Sequence, residues 1–353
     1  MYRDFFQLQD NPFGVTPDPD YLFTSTNHQE AFDHLLYGVR ERKGFIEVIG
    51  APGTGKTMLC RLFLDSMDHG TRTAYVFNTY LSDMELLQAI GDEFGLRPTG
   101  RSRKELIDCL NRFLIDVFAE GGNAVLLIDE AQNLSAEAFE QLRMLSNLET
   151  TTDKLLQVVL VGQPELHAAL VQPELRQLND RIAVRYRMQA LNRDECEYYI
   201  RHRLKVAGGR DLPRIEPEAI DAIHEYSGGI PRKINTICDR ALLVAFIANS
   251  RRLELDHVRQ ARSELELLDD ADHLEGEPPR AEDPSPRRGW FRQLTAGCLL
   301  LGVVGAGGWM WSRHLAGQAE QGPVRCVYKI KQPEGGLAQL LGGESVAQAH
   351  EHD

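Results

Sequence analysis

Short apolar runs alternate with longer amphipathic stretches over residues 44–190, and this alternation predicts the fold class. Continuous apolar runs are typical of parallel strands that are buried on both faces, and the periodic segments between them predict helices. The strand candidates, in chain order, read GFIEVIG, TAYVFN, AVLLIDE and LLQVVLVG. Strands that alternate with helices form βαβ units, so the pattern predicts an α/β domain with a doubly wound parallel sheet.

The segments on either side of this domain follow different patterns. Residues 1–43 open with FFQLQDNPFGVTPDPDYLF, whose prolines predict an extended segment, and a helix then begins at Ser25 or Asn27. We expect this segment and its helix to pack on the core. Beyond residue 190 the apolar runs stop, NRDE has a capping-box pattern, and helical patterns continue. Residues 191–267 are therefore predicted to form a small all-helical domain.

The charge is concentrated in one part of the chain. Nine acidic residues and one basic residue occupy residues 264–286, which carry −8 of the net charge of −13 and leave −5 for the rest. The acidic, proline-containing stretch 268–289 predicts a solvated linker. Nonspecific binding to a DNA duplex requires Lys and Arg to neutralise phosphates, so the mildly acidic remainder argues against nucleic acid as a partner.

Residues 290–312 are predicted to be one transmembrane helix. Twenty consecutive residues without a charge, QLTAGCLLLGVVGAGGWMWS, separate Arg292 from Arg313, and about twenty apolar residues cross a bilayer. Tryptophans flank the stretch, as interfacial belts do. A buried soluble helix is the alternative, although the many glycines are better tolerated in a membrane. Arginines are more numerous before the stretch, which places residues 1–289 in the cytoplasm and residues 313–353, a short tail, outside.

The sequence GAPGTGKT indicates a phosphate-binding loop (P-loop). It fits G-x-x-x-x-G-K-[ST] and lies between a strand candidate and a helix candidate, where glycines let backbone N–H groups turn toward a phosphate. Lys56 is expected to reach the β- and γ-phosphates of ATP, and the Thr57 hydroxyl to bind Mg²⁺. The residues expected to contact the nucleotide are Gly50, Ala51, Pro52, Gly53, Thr54, Gly55, Lys56, Thr57 and Met58.

Two acidic residues end the third strand candidate, AVLLIDE. Asp129 is expected to complete the Mg²⁺ site beside the phosphate loop. Glu130 is expected to orient and deprotonate the attacking water as general base. No LSGGQ-like segment is present, which argues against a transporter-type ATPase.

Two further features, the candidate sensors Gln163 and Arg232, favour the AAA+ branch of these ATPases. Gln163 ends a strand candidate, where it can contact the water or the γ-phosphate (sensor 1). Arg232 begins a helix in SGGIPRKIN, where it can reach the γ-phosphate (sensor 2). An arginine finger supplied to a neighbouring subunit is expected after the sensor strand, and it would make the protein a homo-oligomer. The candidates are Arg181 first and Arg176 next, in a cluster with Arg185 and Arg187.

With these residues in view, the chain resembles the general secretion pathway protein A family of bacterial AAA+ ATPases over roughly residues 1–265. The resemblance is carried by FFQLQDNPFGVTPDPDYLFTSTNHQEAFDHLLYGV, the phosphate loop, LLIDEAQNL, VGQPEL, LRQLNDRI and SGGIPRKINTICDRALL. It implies an ATP-binding core, a helical lid and a single-pass inner-membrane anchor with a periplasmic tail. It also implies that the partners are inner-membrane or periplasmic components of a secretion or pilus assembly.

One departure and two alternatives accompany this resemblance. Full-length family members carry a peptidoglycan-binding domain beyond the span, whereas residues 313–353 are too few for a core of their own. A DNA-associated ATPase of transposition-accessory or origin-recognition type has a similar core and lid. A nucleotide-gated scaffold would bind ATP with little turnover, although Glu130 favours an enzyme. Residues Phe13 to His28 are the candidates for the adenine pocket.

Overall fold

A five-stranded parallel sheet organises the first part of this computed structural model, which describes residues 1–14, 18–97, 102–149, 153–208, 213–275 and 327–328. The strand order is β2-β4-β5-β1-β6, and all neighbours are parallel. Two short strand pairs, β3 with β9 and β7 with β8, lie outside this sheet. The strands are β1 (Phe45–Ile49), β2 (Thr71–Val76), β3 (Leu96–Arg97), β4 (Asn123–Ile128), β5 (Gln157–Gly162), β6 (Ile182–Arg187), β7 (Arg214–Ile215), β8 (Arg252–Leu253) and β9 (Val327–Tyr328). The predicted α/β class is confirmed.

Helices cover both faces of the sheet and continue beyond it. They are α1 (Tyr2–Phe5), α2 (Thr26–Arg40), α3 (Lys56–Asp65), α4 (Asp83–Glu93), α5 (Arg103–Ala119), α6 (Ala136–Leu145), α7 (Pro164–Leu170), α8 (Arg176–Asn179), α9 (Arg193–Val206), α10 (Pro217–Ser227), α11 (Pro231–Ile247) and α12 (Leu255–Glu275). Short 3₁₀ turns cover Pro19–Tyr21, Ala131–Asn133 and Pro173–Leu175.

The sheet is the middle of three layers because successive strand residues point to opposite faces. In β1, Phe45 and Ile49 join a core with α4, α5 and α6, while Ile46 and Val48 join a second core with α2 and α3. Four of the five strands coincide with the predicted apolar runs. Strands β1, β4 and β5 are buried on both faces, which requires such a run, whereas β2 lies at an edge of the sheet and buries only Ala74 and Val76.

The fifth strand, β6, has no such run. Ile182 and Val184 are buried, whereas Ala183, Arg185 and Arg187 are exposed, as expected for an edge strand with one solvated face. Two arginines of the predicted cluster after the sensor strand, Arg185 and Arg187, therefore lie in the sheet itself.

A helical lid follows the sheet and confirms that prediction. Helices α9 to α12 share one hydrophobic core, and the predicted capping box is present, since Asn192 Oδ1 accepts a hydrogen bond from Glu195 N–H at 2.9 Å. The lid also contains the two-residue pair β7–β8. Its last helix, α12, continues to Glu275, into the stretch predicted as a linker. The residues that follow Glu266 begin a second unit, Leu267–Val324, of which only the helical part is described.

The N-terminal segment and its helix pack on different partners. Ser25 caps α2, and Leu35 and Val39 of that helix pack on the sheet, as predicted. Phe6 and Phe13 instead lie in the core of the lid, because the aromatic residues that precede α2 meet the apolar faces of the lid helices. The segment thereby joins the lid to the sheet domain.

The predicted transmembrane helix at 290–312 and the rest of the C-terminal region lie outside the described residues, apart from β9. Within the part of the chain that the structure does describe, every helix is too short or too polar to cross a bilayer. The boundaries proposed for the linker, the span and the tail stay predictions.

Candidate nucleotide-binding site

The predicted phosphate loop connects the buried strand β1 to α3. Gly53 and Gly55 have φ angles of +81° and +98°, which L-residues rarely adopt, and Gly55 is the N-cap of α3. A Cβ on Gly55 would lie 2.6 Å from His28 Nε2, so the loop and α2 approach closely here. The first turn of α3 therefore offers unpaired backbone N–H groups beside the loop, as anion-binding sites do.

Lys56 lies under this loop. Its ammonium group donates to the carbonyl oxygens of Gly50 at 2.9 Å and Ala51 at 3.2 Å, and the residue is only 5% exposed. Burial lowers the pKa of Lys56, and the negative charges of Glu130 and Asp129 oppose that shift. Within the described part of the chain its hydrogen-bond partners are carbonyl oxygens, so this buried cation is available to pair with a phosphate group.

Thr57 and Asp129 meet as expected for a Mg²⁺ site. The Thr57 hydroxyl donates to Asp129 Oδ2 at 2.8 Å, and the Tyr75 hydroxyl donates to the same oxygen at 3.2 Å. Asp129 is 3% exposed at the end of β4. One hydroxyl and one carboxylate are oxygen ligands of the type that Mg²⁺ prefers, and substrate phosphates with water usually supply the remainder. The residues present therefore fit this ion.

Glu130 adopts a left-handed conformation, with φ +51° and ψ +39°, and this turns the chain sharply after β4. Its Oε2 accepts hydrogen bonds from Gln132 Nε2 at 2.6 Å and Gln163 Nε2 at 3.2 Å. Thr79 holds the backbone by donating to the Glu130 carbonyl oxygen at 3.0 Å. Burial raises the pKa of Glu130, but these two amides, Lys56 and Arg232 together hold that pKa below its ordinary value.

Two sensor candidates lie at the same cavity from opposite sides. Gln163 follows β5, lines the cavity and donates to Glu130, and its role as sensor 1 stays a prediction. Arg232, the second residue of α11, lines the cavity, and its backbone N–H donates to the Gly53 carbonyl oxygen at 3.3 Å. The lid thus touches the phosphate loop directly.

A cavity of about 270 Å³ is enclosed by the loop, the lid and the N-terminal segment. Of the N-terminal candidates for the adenine pocket, Tyr21, Phe23 and His28 line the cavity, whereas Phe13 is buried in the lid core; their contact with adenine stays a prediction. Lid residues that the sequence analysis missed also line it: Leu191, Tyr199, Arg203 and Asn235. Two sequence signals lay near them, both as helix starts: Asn192–Glu195 directly after Leu191, and the motif SGGIPRKIN, which ends at Asn235.

The arginine-finger candidates lie away from this cavity in their own chain. Arg181 Nη1 donates to Ser146 Oγ at 2.8 Å and Asn147 Oδ1 at 2.6 Å, which ties it to the end of α6. Arg185 pairs with the buried Glu47. Arg176 and Arg187 are exposed. An arginine that acts on a neighbouring subunit need not reach its own cavity, so the finger stays a prediction.

Comparison with known proteins identifies relatives of this domain. The family model described as an AAA domain matches residues 39–170, which include the loop, Asp129, Glu130 and Gln163. General secretion pathway protein A of Aeromonas hydrophila is 44% identical over 272 residues, which cover 76% of this chain and 49% of that protein. The chain therefore spans about half the length of this relative. The ATP-dependent target DNA activator B of Escherichia phage Mu is 27% identical over 62% of this chain and 66% of that protein.

A solved structure supports the same fold. The Aeropyrum pernix ORC2 protein, in its ADPNP-ADP complexes, matches with a TM-score of 0.53 and 19% identity over 72% of each chain. At that identity the likeness concerns the fold, a P-loop core with a helical lid. The AAA domain match over residues 39–170 and the 44% identity confirm the resemblance carried by the motifs: this chain contains an AAA domain and is similar to general secretion pathway protein A.

Proposed function

We propose that this protein binds ATP with Mg²⁺, hydrolyses it, and uses the cycle to drive assembly of a bacterial envelope complex of secretion or pilus type. One observation carries the hydrolysis step. Gln163 donates a hydrogen bond to Glu130, and both residues line the same cavity as Lys56. A carboxylate, an amide and an ammonium group at one phosphate loop supply a base, a water ligand and a phosphate ligand.

Binding begins with the phosphate loop and Lys56. The backbone N–H groups of the loop surround the β-phosphate, and Lys56 exchanges its carbonyl partners for the β- and γ-phosphates. Thr57 and Asp129 would hold Mg²⁺, which would supply positive charge against the charge that develops on the phosphates. Tyr75 keeps the Asp129 carboxylate oriented by its hydrogen bond.

Hydrolysis depends on Glu130 as a proton acceptor. The hydrogen bonds and nearby cations that lower its pKa keep the side chain ionised at neutral pH. Gln163 orients the attacking water, whose proton passes to Glu130 as the bond between the γ-phosphorus and the bridging oxygen breaks and ADP leaves. Arg232 from the lid and an arginine of a neighbouring subunit, Arg181 first, stabilise the charge on the transferring phosphate.

The cellular setting rests on sequence and relationship. The identity with general secretion pathway protein A supports a role in secretion, with inner-membrane or periplasmic components as partners. The charge-free stretch within residues 290–312 supports a single-pass inner-membrane anchor, which leaves the ATPase in the cytoplasm and residues 313–353 in the periplasm.

A second candidate is an ATPase that acts on DNA. It is favoured by the 27% identity with the ATP-dependent target DNA activator B of phage Mu. The net charge of −13 opposes it, since tight duplex binding needs a basic surface.

The decisive experiment measures ATP turnover by the full chain, with and without duplex DNA, for the wild type and Glu130→Gln. Glu137→Gln, on the exposed face of α6, is the matched control. We expect Glu130→Gln to retain nucleotide binding and lose turnover by about 100-fold or more, because an amide cannot accept the proton. Equal turnover in the variant would refute the assignment of the base. Strong stimulation by DNA would support the second candidate, and binding without any turnover by the wild type would indicate a scaffold.

A further inference from the structure

Gln132 occupies the 3₁₀ turn between the two polar groups on which hydrolysis depends. The turn Ala131–Asn133 follows Glu130 directly, and buried Ala131 and Leu134 anchor it in the hydrophobic core. Gln132 itself is only partly buried and is absent from the residues that line the cavity among those described. The apolar side chains on either side of Gln132 therefore anchor the backbone of the turn.

The amide of Gln132 makes two hydrogen bonds to different strand ends. Its Nε2 donates to Glu130 Oε2 at 2.6 Å, after β4. Its Oε1 accepts from the backbone N–H of Gln163 at 3.0 Å, after β5. Only one orientation of the amide works, because the reverse would place its oxygen against a carboxylate and its NH₂ against an N–H group.

The absence of a side chain at Gly162 leaves room for the hydrogen bond between Gln132 and the Gln163 N–H. A Cβ on Gly162, the residue before Gln163, would lie 2.7 Å from Gln132 Oε1. Such a distance is far below van der Waals contact, so any larger residue at position 162 would displace the amide. The Gln163 side chain closes the arrangement by donating to Glu130 Oε2 at 3.2 Å.

We propose that Gln132 is a positioning residue that fixes the carboxylate of Glu130 relative to Gln163, so that the base and the water-orienting amide keep one spacing. This inference rests on the proposed ATPase function. A misplacement of reacting groups by about 1 Å costs as much as 100-fold in rate, so a residue that touches neither ATP nor water can still govern turnover.

The test measures kcat and KM for ATP hydrolysis by the full chain with Mg²⁺. Gln132→Leu keeps the approximate volume and removes both hydrogen bonds. Gln132→Glu keeps the acceptor for the Gln163 N–H but places a carboxylate against Glu130. Gln260→Leu is the matched control, because Gln260 also donates to a glutamate, Glu264, but on the exposed surface of α12.

We expect both Gln132 variants to lower kcat by about tenfold or more, with KM within about twofold of the wild type, because the interaction acts on the base and not on ATP binding. Gln260→Leu should behave as the wild type. In a Glu130→Gln background, Gln132→Leu should cause no further loss, since the base through which it acts is already absent.

Three results would overturn the inference while leaving the ATPase function intact: wild-type kcat in Gln132→Leu, wild-type kcat in Gln132→Glu, or an additive loss in the double variant. A raised KM at constant kcat would assign Gln132 to nucleotide binding and would also overturn it. Absence of turnover in the wild type would refute the proposed function and this inference together.

Discussion

Gly53 shows how single residues connect the phosphate loop to the lid. Its φ of +81° is one that only glycine adopts readily, and a Cβ would lie 2.6 Å from Arg232 Cβ and 3.3 Å from Ile230 Cγ2. The Arg232 N–H also donates to its carbonyl oxygen. Two constraints, backbone conformation and close approach, therefore coincide at one residue.

Substitution of Gly53 should separate these two constraints. We expect Gly53→Ala to weaken ATP binding by about tenfold or more, because the methyl group displaces the lid in addition to the ~1–2 kcal/mol cost of the left-handed conformation. Gly121→Ala is the matched control, since its φ is +78° and its Cβ would meet no atom within 4 Å. Titration with a fluorescent ATP analogue measures both, and equal affinity in the two variants would contradict a role for the lid contact.

Motif spacing predicts the candidate residues for phosphate and metal binding, and the structure brings them together. Lys56, Thr57 and Asp129 follow from local patterns because a strand end and a helix start fix their backbone positions. The contacts of Gln132 do not follow from such patterns. They depend on the distance between the ends of β4 and β5, which is set by packing across the whole sheet.

At the scale of elements, helix α2 contacts the phosphate loop through the side chain of His28. His28 Nδ1 is hydrogen-bonded to Ser25, the N-cap of α2, and Nε2 lies 3.0 Å from the Thr54 carbonyl oxygen. Burial lowers the pKa of His28, and the Thr54 carbonyl and Glu195 only partly oppose this. The neutral ring is the form that joins α2 to the phosphate loop.

This arrangement predicts a pH dependence of stability. The pKa is lower in the folded state than the value of about 6.5 in the unfolded chain, so the unfolded state binds more protons below pH 6.5 and stability falls as the pH decreases. We expect the thermal midpoint to drop less between pH 7.5 and 5.5 in His28→Gln than in the wild type. His69→Gln, at an exposed site, should keep the wild-type dependence. Parallel curves for His28→Gln and the wild type would contradict this account.

Elements differ in how far the sequence predicts them. Strands β1, β4 and β5, which are buried on both faces, have continuous apolar runs, β2 has the shorter run AYVF, and α9 has a capping box, so each carries a local signal. Strand β6 was missed because its arginines interrupt the pattern, although the alternation of Ile182 and Val184 was a usable signal. The packing of Phe6 and Phe13 on the lid was not predictable, because it depends on contacts between residues about 200 positions apart.

At the scale of the whole molecule, the first candidate for the arginine finger does not line the cavity of its own chain among the described residues. Lys56 and Arg232 supply positive charge from the same chain, while Arg181 is held at the end of α6, away from its own cavity. If Arg181 completes the site of a neighbouring subunit, the base and the finger of each working site come from different chains.

Mixing inactive variants tests this arrangement. We expect Arg181→Ala and Glu130→Gln to be inactive alone, and an equal mixture to recover roughly a quarter of wild-type turnover, since half the sites have an intact Glu130 and half of those face an intact Arg181. The matched control mixes Lys56→Ala with Glu130→Gln. Because both residues belong to the site of their own chain, every site in that mixture lacks either the base or Lys56. No recovery with Arg181→Ala would exclude it as the finger. Recovery with Arg176→Ala in its place would assign that role to the exposed arginine of α8, because only a residue donated across the interface can be restored by a different subunit.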